Sequence, residues 1–299
     1  MDVCFVNTAS LSVPQWTLRS GGRGKMVLPV RCGVVQHPRE GLVLLDMGSA
    51  HRSDDVKPSW PLGIYERVLG FDHHGVGMAE HLTTHGLSTQ DVRHVILTHL
   101  HADHLGDWRL FPHATFWVHK QAVEQALSFL SWTKGVFSEL LPPLDRIKTF
   151  DISETKTPLD ALSQDEVFSP LEGIRLVSLP GHVAGHCGVW VDGKNGSVFY
   201  ASDVSWTFEG ILEGKDRFLT RLLVGSGLSS QERSRLRVRD LVLKKGCDVV
   251  LCHDPHRLGL DAVDVCEGQG AWASVEESLC DDGSSGACCF ELSLPAGGV

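Results

Sequence analysis

Short runs of Val, Ile and Leu recur along the chain, and each run is bounded by Gly, Pro or polar residues. Runs this short, with this composition and these boundaries, predict β-strands rather than helices. The predicted strands are Val3–Val6, Val30–Val35, Leu42–Asp46, His94–Thr98, Ala114–Val118, Ile174–Leu179, Gly188–Val191, Ser197–Ala201 and Val249–Cys252.

Helical patterns lie between several of these strands. Helices are predicted at Val76–Thr84, which Gly86 ends, at Lys120–Phe129 and across most of residues 206–245. Residues 192–196 read Asp-Gly-Lys-Asn-Gly, which is the chemistry of a hairpin turn between antiparallel strands. Hairpins are incompatible with a purely parallel sheet, so we predict an α/β protein with two mixed β-sheets and helices on their outer faces.

Composition narrows the class of protein. The 299 residues are 42% hydrophobic and 21% charged, which excludes a disordered chain. The formal net charge of −10 makes phosphate backbones and anionic lipid surfaces poor partners, so we expect neither nucleic acid nor membrane binding. We expect one domain over residues 1–265, as a monomer or a homodimer. Residues 266–299 form a segment of unknown role, expected to pack on that domain.

The nine cysteines indicate the redox state of the compartment in which the protein is expected to work. Their number is odd, none is spaced as Cys-x-x-Cys, and the first sixteen residues do not resemble a secretory signal. We therefore expect reduced thiols, buried as small apolar side chains, in a cytoplasmic protein.

The segment Thr98-His99-Leu100-His101-Ala102-Asp103-His104 directly follows a predicted strand. Imidazole and carboxylate groups suit zinc, iron or manganese. His99 and His101 alternate along an extended loop and so share one side, whereas Asp103 and His104 follow the turn into a helix that begins at Ala102. This arrangement predicts one segment that supplies ligands to two adjacent metal ions.

Three further candidate ligands each follow a predicted strand. They are His182 in Pro-Gly-His-Val-Ala-Gly-His, Asp203 in Tyr-Ala-Ser-Asp, and His253 in Leu-Cys-His-Asp. A single histidine is more often a structural residue, and a single Asp at a strand end is often a helix cap. Their recurrence at successive strand ends favours a common site.

With Asp46 in Leu-Leu-Asp-Met-Gly, this set of motifs resembles the metallo-β-lactamase superfamily over about residues 28–256. The resemblance implies an αβ/βα four-layer sandwich with two divalent ions, zinc first and iron, manganese or cobalt as alternatives. It assigns Asp203 as the bridge between the metals and Asp46 as a residue that orients the ligand loops. It also implies two ligand groups: His99, His101 and His182 for the first metal, and Asp103, His104 and His253 for the second.

Within the superfamily, the Pro-Gly-His segment, the Ser-Asp strand end and the helical stretch after it resemble the N-acyl homoserine lactonase-like group. That resemblance implies a small lactone or ester substrate that carries an acyl chain, and a quorum-quenching role. The alternatives are a glyoxalase II-like thioester hydrolase and, with less support, a diiron redox protein.

The expected reaction is attack of a metal-bridging hydroxide on the substrate carbonyl. Asp103 would carry the proton to the leaving oxygen. Lactonases of this group often carry Tyr three residues beyond the bridging Asp, where this chain has Trp206, whose indole can donate one hydrogen bond but cannot accept one. Apolar rings such as Trp60, Trp132 and Phe208 are candidates to line an acyl-chain site.

Overall fold

The computed structural model describes residues 1–18, 22–49, 58–72, 76–213, 228–244 and 247–255. The predicted C-terminal segment 266–299 and the centre of the predicted helix 206–245 lie outside these ranges. Among the described helices, none combines the length and the apolar character that a membrane crossing requires.

Twelve strands carry the fold. They are β1 (Asp2–Pro14), β2 (Lys25–His37), β3 (Gly41–Leu45), β4 (Phe71–Asp72), β5 (Val92–Leu97), β6 (Thr115–His119), β7 (Ile147–Phe150), β8 (Phe168–Leu171), β9 (Ile174–Ser178), β10 (Cys187–Gly193), β11 (Gly196–Ser202) and β12 (Asp248–Leu251).

The α-helices of the described residues are short, apart from the last. They are α1 (Trp60–Leu69), α2 (Met78–Thr84), α3 (Ala102–Leu105), α4 (Lys120–Ala126), α5 (Phe208–Glu213) and α6 (Leu228–Lys244).

The strands form two mixed sheets. The first has the order β4-β1-β2-β3-β5-β6-β7 and the second the order β12-β11-β10-β9-β8. In the first sheet, β1, β2, β3 and β4 pair antiparallel, whereas β3, β5, β6 and β7 pair parallel. In the second sheet only β11 and β12 are parallel. The hairpin predicted at residues 192–196 joins β10 to β11.

Three apolar cores separate four layers. One lies between the sheets and includes Leu11, Val30, Val189 and Val250. A second packs α2 and α4 onto the outer face of the first sheet. The third packs α5 and α6 onto the outer face of the second sheet, and it contains Phe208. Phe208 is therefore a core residue, which is the alternative to an acyl-chain site for each of these rings.

Every predicted strand is present, although the first and last residues of the strands differ from the predicted ones. The predicted strand Val3–Val6 is the start of a strand that runs to Pro14, because buried and more exposed positions continue to alternate along it. The predicted helix Lys120–Phe129 ends at Ala126, and Leu127, Phe129 and Leu130 beyond it are more than half exposed. Trp206 precedes α5 rather than starting it.

The sequence interpretation missed α1, β4, β7 and β8. Signals for α1 are present, because Pro61 occupies the first turn and Gly70 ends the helix in the left-handed conformation at φ 61°. The three missed strands are only two to four residues long, and sequence patterns detect such strands poorly.

Candidate active site

The ends of four strands bring the predicted ligands together. The 99–104 segment follows β5, His182 follows β9, Asp203 follows β11 and His253 follows β12. All seven predicted ligand residues are buried, none being more than 3% exposed as a whole residue. They lie on the same edge of the two sheets, so residues up to 154 positions apart share one small space.

The first donor group comprises His99, His101, His182 and Asp203. Nδ1 of His101 lies 3.1 Å from Nε2 of His99 and 3.0 Å from Nε2 of His182. Nε2 of His182 is 3.5 Å from Oδ2 of Asp203. Donors that share one tetrahedral zinc at bond lengths of ~2.0–2.1 Å lie ~3.3 Å apart, so these spacings fit a single cation.

The second donor group comprises His104, Asp203, Cys252 and His253, and it lies next to the first. Nε2 of His104 is 3.5 Å from Oδ1 of Asp203, and Nε2 of His253 is 3.1 Å from Oδ2 of Asp203. Oδ2 of Asp103 lies 3.3 Å from Nε2 of His253 and 3.8 Å from Nε2 of His104. Asp203 thus belongs to both groups and presents one carboxylate between two sets of imidazoles.

Hydrogen bonds on the far side of three rings select which nitrogen faces the site. Nε2 of His101 lies 2.9 Å from the Lys134 carbonyl, and Nδ1 of His253 lies 2.8 Å from the Pro29 carbonyl. A carbonyl only accepts, so each of these nitrogens carries the proton and the other nitrogen presents a lone pair. Nδ1 of His104 donates in the same way to Asp46.

Asp46 holds the ligand loops without facing the donors of the first group. Its Oδ1 accepts from the Thr98 N–H and its Oδ2 from the Thr98 hydroxyl, both at 2.8 Å. Oδ2 also accepts from His104 Nδ1 at 2.7 Å and from the Tyr200 hydroxyl at 3.1 Å. The backbone of Asp46 is in the left-handed region at φ 59°, a conformation that is uncommon for a residue other than Gly.

His186 is placed as a supporting residue. Its Nδ1 donates to the Leu179 carbonyl at 2.8 Å, and its Nε2 accepts from the Asp203 N–H at 3.3 Å. With both nitrogens engaged, His186 positions the strand end that carries Asp203.

The charges of the site differ between the two groups. Burial lowers the pKa of His101 to about 4 and, together with the neighbouring imidazoles, holds the pKa of His99 and His182 well below the usual value. Burial also lowers the pKa of His104 and His253, but nearby negative charges outweigh it and hold both well above the usual range. Asp46 contributes most at His104, and Asp203 contributes most at His253.

These features fit divalent cations. Nε2 of His104 and Oδ1 of Asp203 are buried and have no hydrogen-bond partner within the described ranges. Buried polar atoms are seldom left unpaired, and these two lie where a cation would bind both. A cation there would take the place of protons on His104 and His253 and would compensate the carboxylates.

Two aromatic residues flank the donor groups. The Trp206 ring lies 5.4 Å from the His253 ring, and its buried Nε1 has no hydrogen-bond partner in the described structure. Tyr65 on α1 lies 6.5 Å from the His101 ring. Burial raises the pKa of Tyr65 well above its usual value, and the charges of Asp103 and Asp203 raise it further, so the phenol remains protonated.

Sequence interpretation missed Tyr65, because it missed α1. It also treated Cys252 only as a buried apolar residue, although its thiol belongs to the second donor group with His104, Asp203 and His253. The position of Cys252 directly before a predicted ligand was the one available signal.

The sequence profile of the metallo-beta-lactamase superfamily matches residues 26–253. The chain belongs to the metallo-beta-lactamase superfamily. This result confirms the resemblance drawn from the histidine and aspartate motifs.

Similar proteins include a probable metallo-hydrolase and an N-acyl homoserine lactonase. A probable metallo-hydrolase of Mycobacterium tuberculosis is 28% identical over 236 residues, which is 72% of each chain. The N-acyl homoserine lactonase AttM of Azorhizobium caulinodans is 26% identical over 246 residues, 80% of this chain and 86% of AttM.

Solved metallo-beta-lactamase superfamily structures confirm the predicted α/β sandwich. A mutant of B. thuringiensis AiiA with N-decanoyl-L-homoserine bound aligns with a TM-score of 0.62 at 21% identity, covering 85% of this chain and 93% of AiiA. The dizinc quorum-quenching lactonase AidC aligns with a TM-score of 0.61 at 14% identity, covering 85% and 88%. At these identities the alignments establish the fold alone.

Proposed function

We propose that this metallo-hydrolase of the superfamily hydrolyses the lactone or ester bond of a small substrate that carries an acyl chain. N-acyl homoserine lactones are the first candidates. The observation that carries the proposal is the pair of donor groups that share Asp203. Bound there, two divalent cations, zinc first, would activate water and polarise the carbonyl.

The residues around the donors have separate tasks in this reaction. Asp103 accepts the proton of the attacking water and passes it to the leaving oxygen. Its Oδ2 lies 3.3 Å from His253 Nε2, at the edge of the second donor group, and so close to the place of the reaction. Trp206 directs its unpaired Nε1–H to the substrate oxygen that gains negative charge. This donor would take the place of the tyrosine that lactonases of this group often carry three residues beyond the bridging Asp.

A partly open pocket near His101, with apolar and polar residues in its wall, fits a substrate that carries an acyl chain. The cavity has a volume of about 400 Å³, and Pro61, Trp132, Val136 and Phe137 contribute to its wall. Val136 forms a β-bridge with His101, so this wall adjoins the first donor group. Trp60 and Trp132 lie 5.6 Å apart, and both are exposed, so they can contact a chain that extends from the site.

The five cysteines in the described ranges fit a reducing compartment. Cys4, Cys32, Cys187, Cys247 and Cys252 are free thiols, which fits the cytoplasmic location proposed from the sequence.

The test compares leaving groups at constant acyl chain. The metal-free protein is reconstituted with zinc, manganese, cobalt or iron. It is then assayed on an acyl homoserine lactone, an aryl ester and a thioester that all carry the same acyl group. We expect the lactone or the ester to be hydrolysed fastest and a chelator to abolish turnover. Preferred thioester cleavage would favour a glyoxalase II-like activity, and a protein with two bound cations that cleaves none of the three would refute the proposal.

A matched variant shows whether turnover belongs to this site. Asp203→Asn removes the shared carboxylate, and Asp192→Asn removes an exposed carboxylate that pairs with Arg175. We expect the first change to abolish turnover and the second to leave it unchanged.

A further inference from the structure

The second donor group contains a thiol. The donor atoms of His104, Asp203, Cys252 and His253 all lie within 4.8 Å of one another. Zinc bonds are ~2.0–2.2 Å to nitrogen or oxygen and ~2.3 Å to sulfur, so a nitrogen and a sulfur on one tetrahedral zinc lie ~3.5 Å apart. Donors at the wide end of the 4.8 Å range would approach one another by about an ångström when all four bind one cation.

The backbone fixes the position of this thiol. The Cys252 N–H donates to the Ser202 carbonyl at 3.2 Å, and the Cys252 carbonyl accepts from the Arg31 N–H at 3.2 Å. The side chain is fully buried. The backbone of Cys252 is thus held between the strand end that carries Asp203 and the first sheet, and its side chain is enclosed there.

Two further atoms point to a cation at this place. His104 Nε2 and Asp203 Oδ1 belong to the same group, are buried, and lack hydrogen-bond partners in the described part of the chain. An unpaired imidazole nitrogen, an unpaired carboxylate oxygen and a thiol within one small volume form a donor set that binds soft and borderline metals.

We infer that Cys252 is a metal ligand of the second cation, giving that site a sulfur donor beside His104, His253 and the shared Asp203. Binding exchanges the S–H bond for a sulfur–cation bond, and the proton leaves to the solvent. This inference rests on the proposed two-cation site and deepens it by assigning the metal preference.

The sulfur donor has two consequences. A soft thiolate favours zinc or cobalt over manganese at the second position. It also means that Asp103, 3.3 Å from His253 Nε2, need not remain bound to the cation, so its carboxylate is available to carry a proton.

Cobalt spectroscopy tests the assignment. Metal-free protein is titrated with Co²⁺, and the near-ultraviolet sulfur-to-cobalt charge-transfer band is recorded for the wild type, Cys252→Ser and Cys32→Ser. Cys32 is an equally buried thiol that lies 3.7 Å from Thr8 Oγ1 and belongs to neither donor group found in the described residues. We expect the band in the wild type and in Cys32→Ser, and its loss in Cys252→Ser with two cobalt ions still bound.

A measurement without substitution covers the case in which Cys252→Ser does not fold. X-ray absorption at the zinc edge of the wild-type dizinc protein should show a sulfur neighbour at ~2.3 Å. A zinc shell of nitrogen and oxygen alone, or a charge-transfer band that persists in Cys252→Ser, would overturn the inference. Neither measurement uses a substrate, so failure here is distinct from failure of the lactone or ester activity.

The metal preference gives a second readout. Cys252→Ser should weaken zinc binding at the second position by at least about tenfold, whereas its effect on manganese should be smaller. Equal losses for both metals would contradict a soft donor at this position.

Discussion

Asp46 Oδ2 accepts a hydrogen bond from His104 Nδ1 at 2.7 Å, and both side chains are fully buried. This single contact fixes the ring of His104 so that Nε2 faces Asp203. The carboxylate would therefore act on the proposed metal site through the imidazole, as carboxylate–histidine pairs do in many zinc proteins.

Asp46→Asn should weaken metal binding by about 10- to 100-fold, because the amide is neutral and competes poorly for the His104 N–H. Asn tolerates the left-handed backbone at φ 59°, so the loop should keep its shape. Competition with a chelator measures the affinity. Asp160→Asn, which removes a surface carboxylate paired with Lys244, should leave the affinity unchanged, and an equal loss in both variants would refute this role.

Asp103→Asn should lower kcat by about 10²- to 10⁴-fold, because Asn cannot accept and return a proton. The variant must be assayed with its metal content measured, since Asp103 Oδ2 also lies 3.3 Å from His253 Nε2, a proposed ligand of the second cation. Asp107→Asn serves as the control, because Asp107 interacts with Arg109 outside the site. Turnover near the wild-type rate in a metal-replete Asp103→Asn protein would contradict proton transfer by this residue.

Trp206→Phe should lower kcat/KM by about tenfold or more, because it removes one hydrogen-bond donor and retains most of the ring. Trp108→Phe is a matched control, since Trp108 Nε1 is also buried and unpaired in the described structure but packs against Arg109 and Arg146. If both changes reduce turnover equally, the loss reflects packing rather than a hydrogen bond to substrate.

Gly48→Ala should destabilise the fold more than Gly86→Ala. Both glycines have positive φ, +80° and +72°, so each substitution should cost about 1–2 kcal/mol in backbone strain. A Cβ at Gly48 would lie 2.0 Å from Thr8 Oγ1, whereas a Cβ at Gly86 would meet nothing within 4 Å. The overlap should add about 1–3 kcal/mol. Denaturant unfolding measures both variants, and equal losses would show that the loop relaxes around Thr8.

Glu166→Gln should remove a pH-dependent part of the stability. Hydrogen bonds from Thr155, Thr157 and Ser163 lower the pKa of Glu166 to about 2. A lowered carboxyl pKa stabilises the fold above the pKa of the unfolded chain, and this contribution is lost as pH falls through the folded value. The Tm difference between the wild type and Glu166→Gln should therefore be largest above about pH 5 and shrink toward pH 2. A Tm difference that is constant with pH would contradict this assignment.

The sequence by itself determined nine of the twelve strands and the order in which the candidate ligands follow them. Short apolar runs form strands because neighbouring side chains alternate between faces, and this rule is local. His99, His182 and His253 could therefore each be assigned to a strand end. The superfamily resemblance then implied that these strand ends meet, which the tertiary structure shows them to do.

Only the tertiary structure decided which atoms face the site. The nitrogen that His253 presents depends on Pro29, 224 positions away, and the place of Tyr65 depends on a helix that the sequence interpretation missed. The thiol of Cys252 joins the donors because Ser202 and Arg31 fix its backbone from two directions. Hydrogen bonds and packing of this kind join residues that are remote in the chain, and no local pattern of apolar and polar positions encodes them.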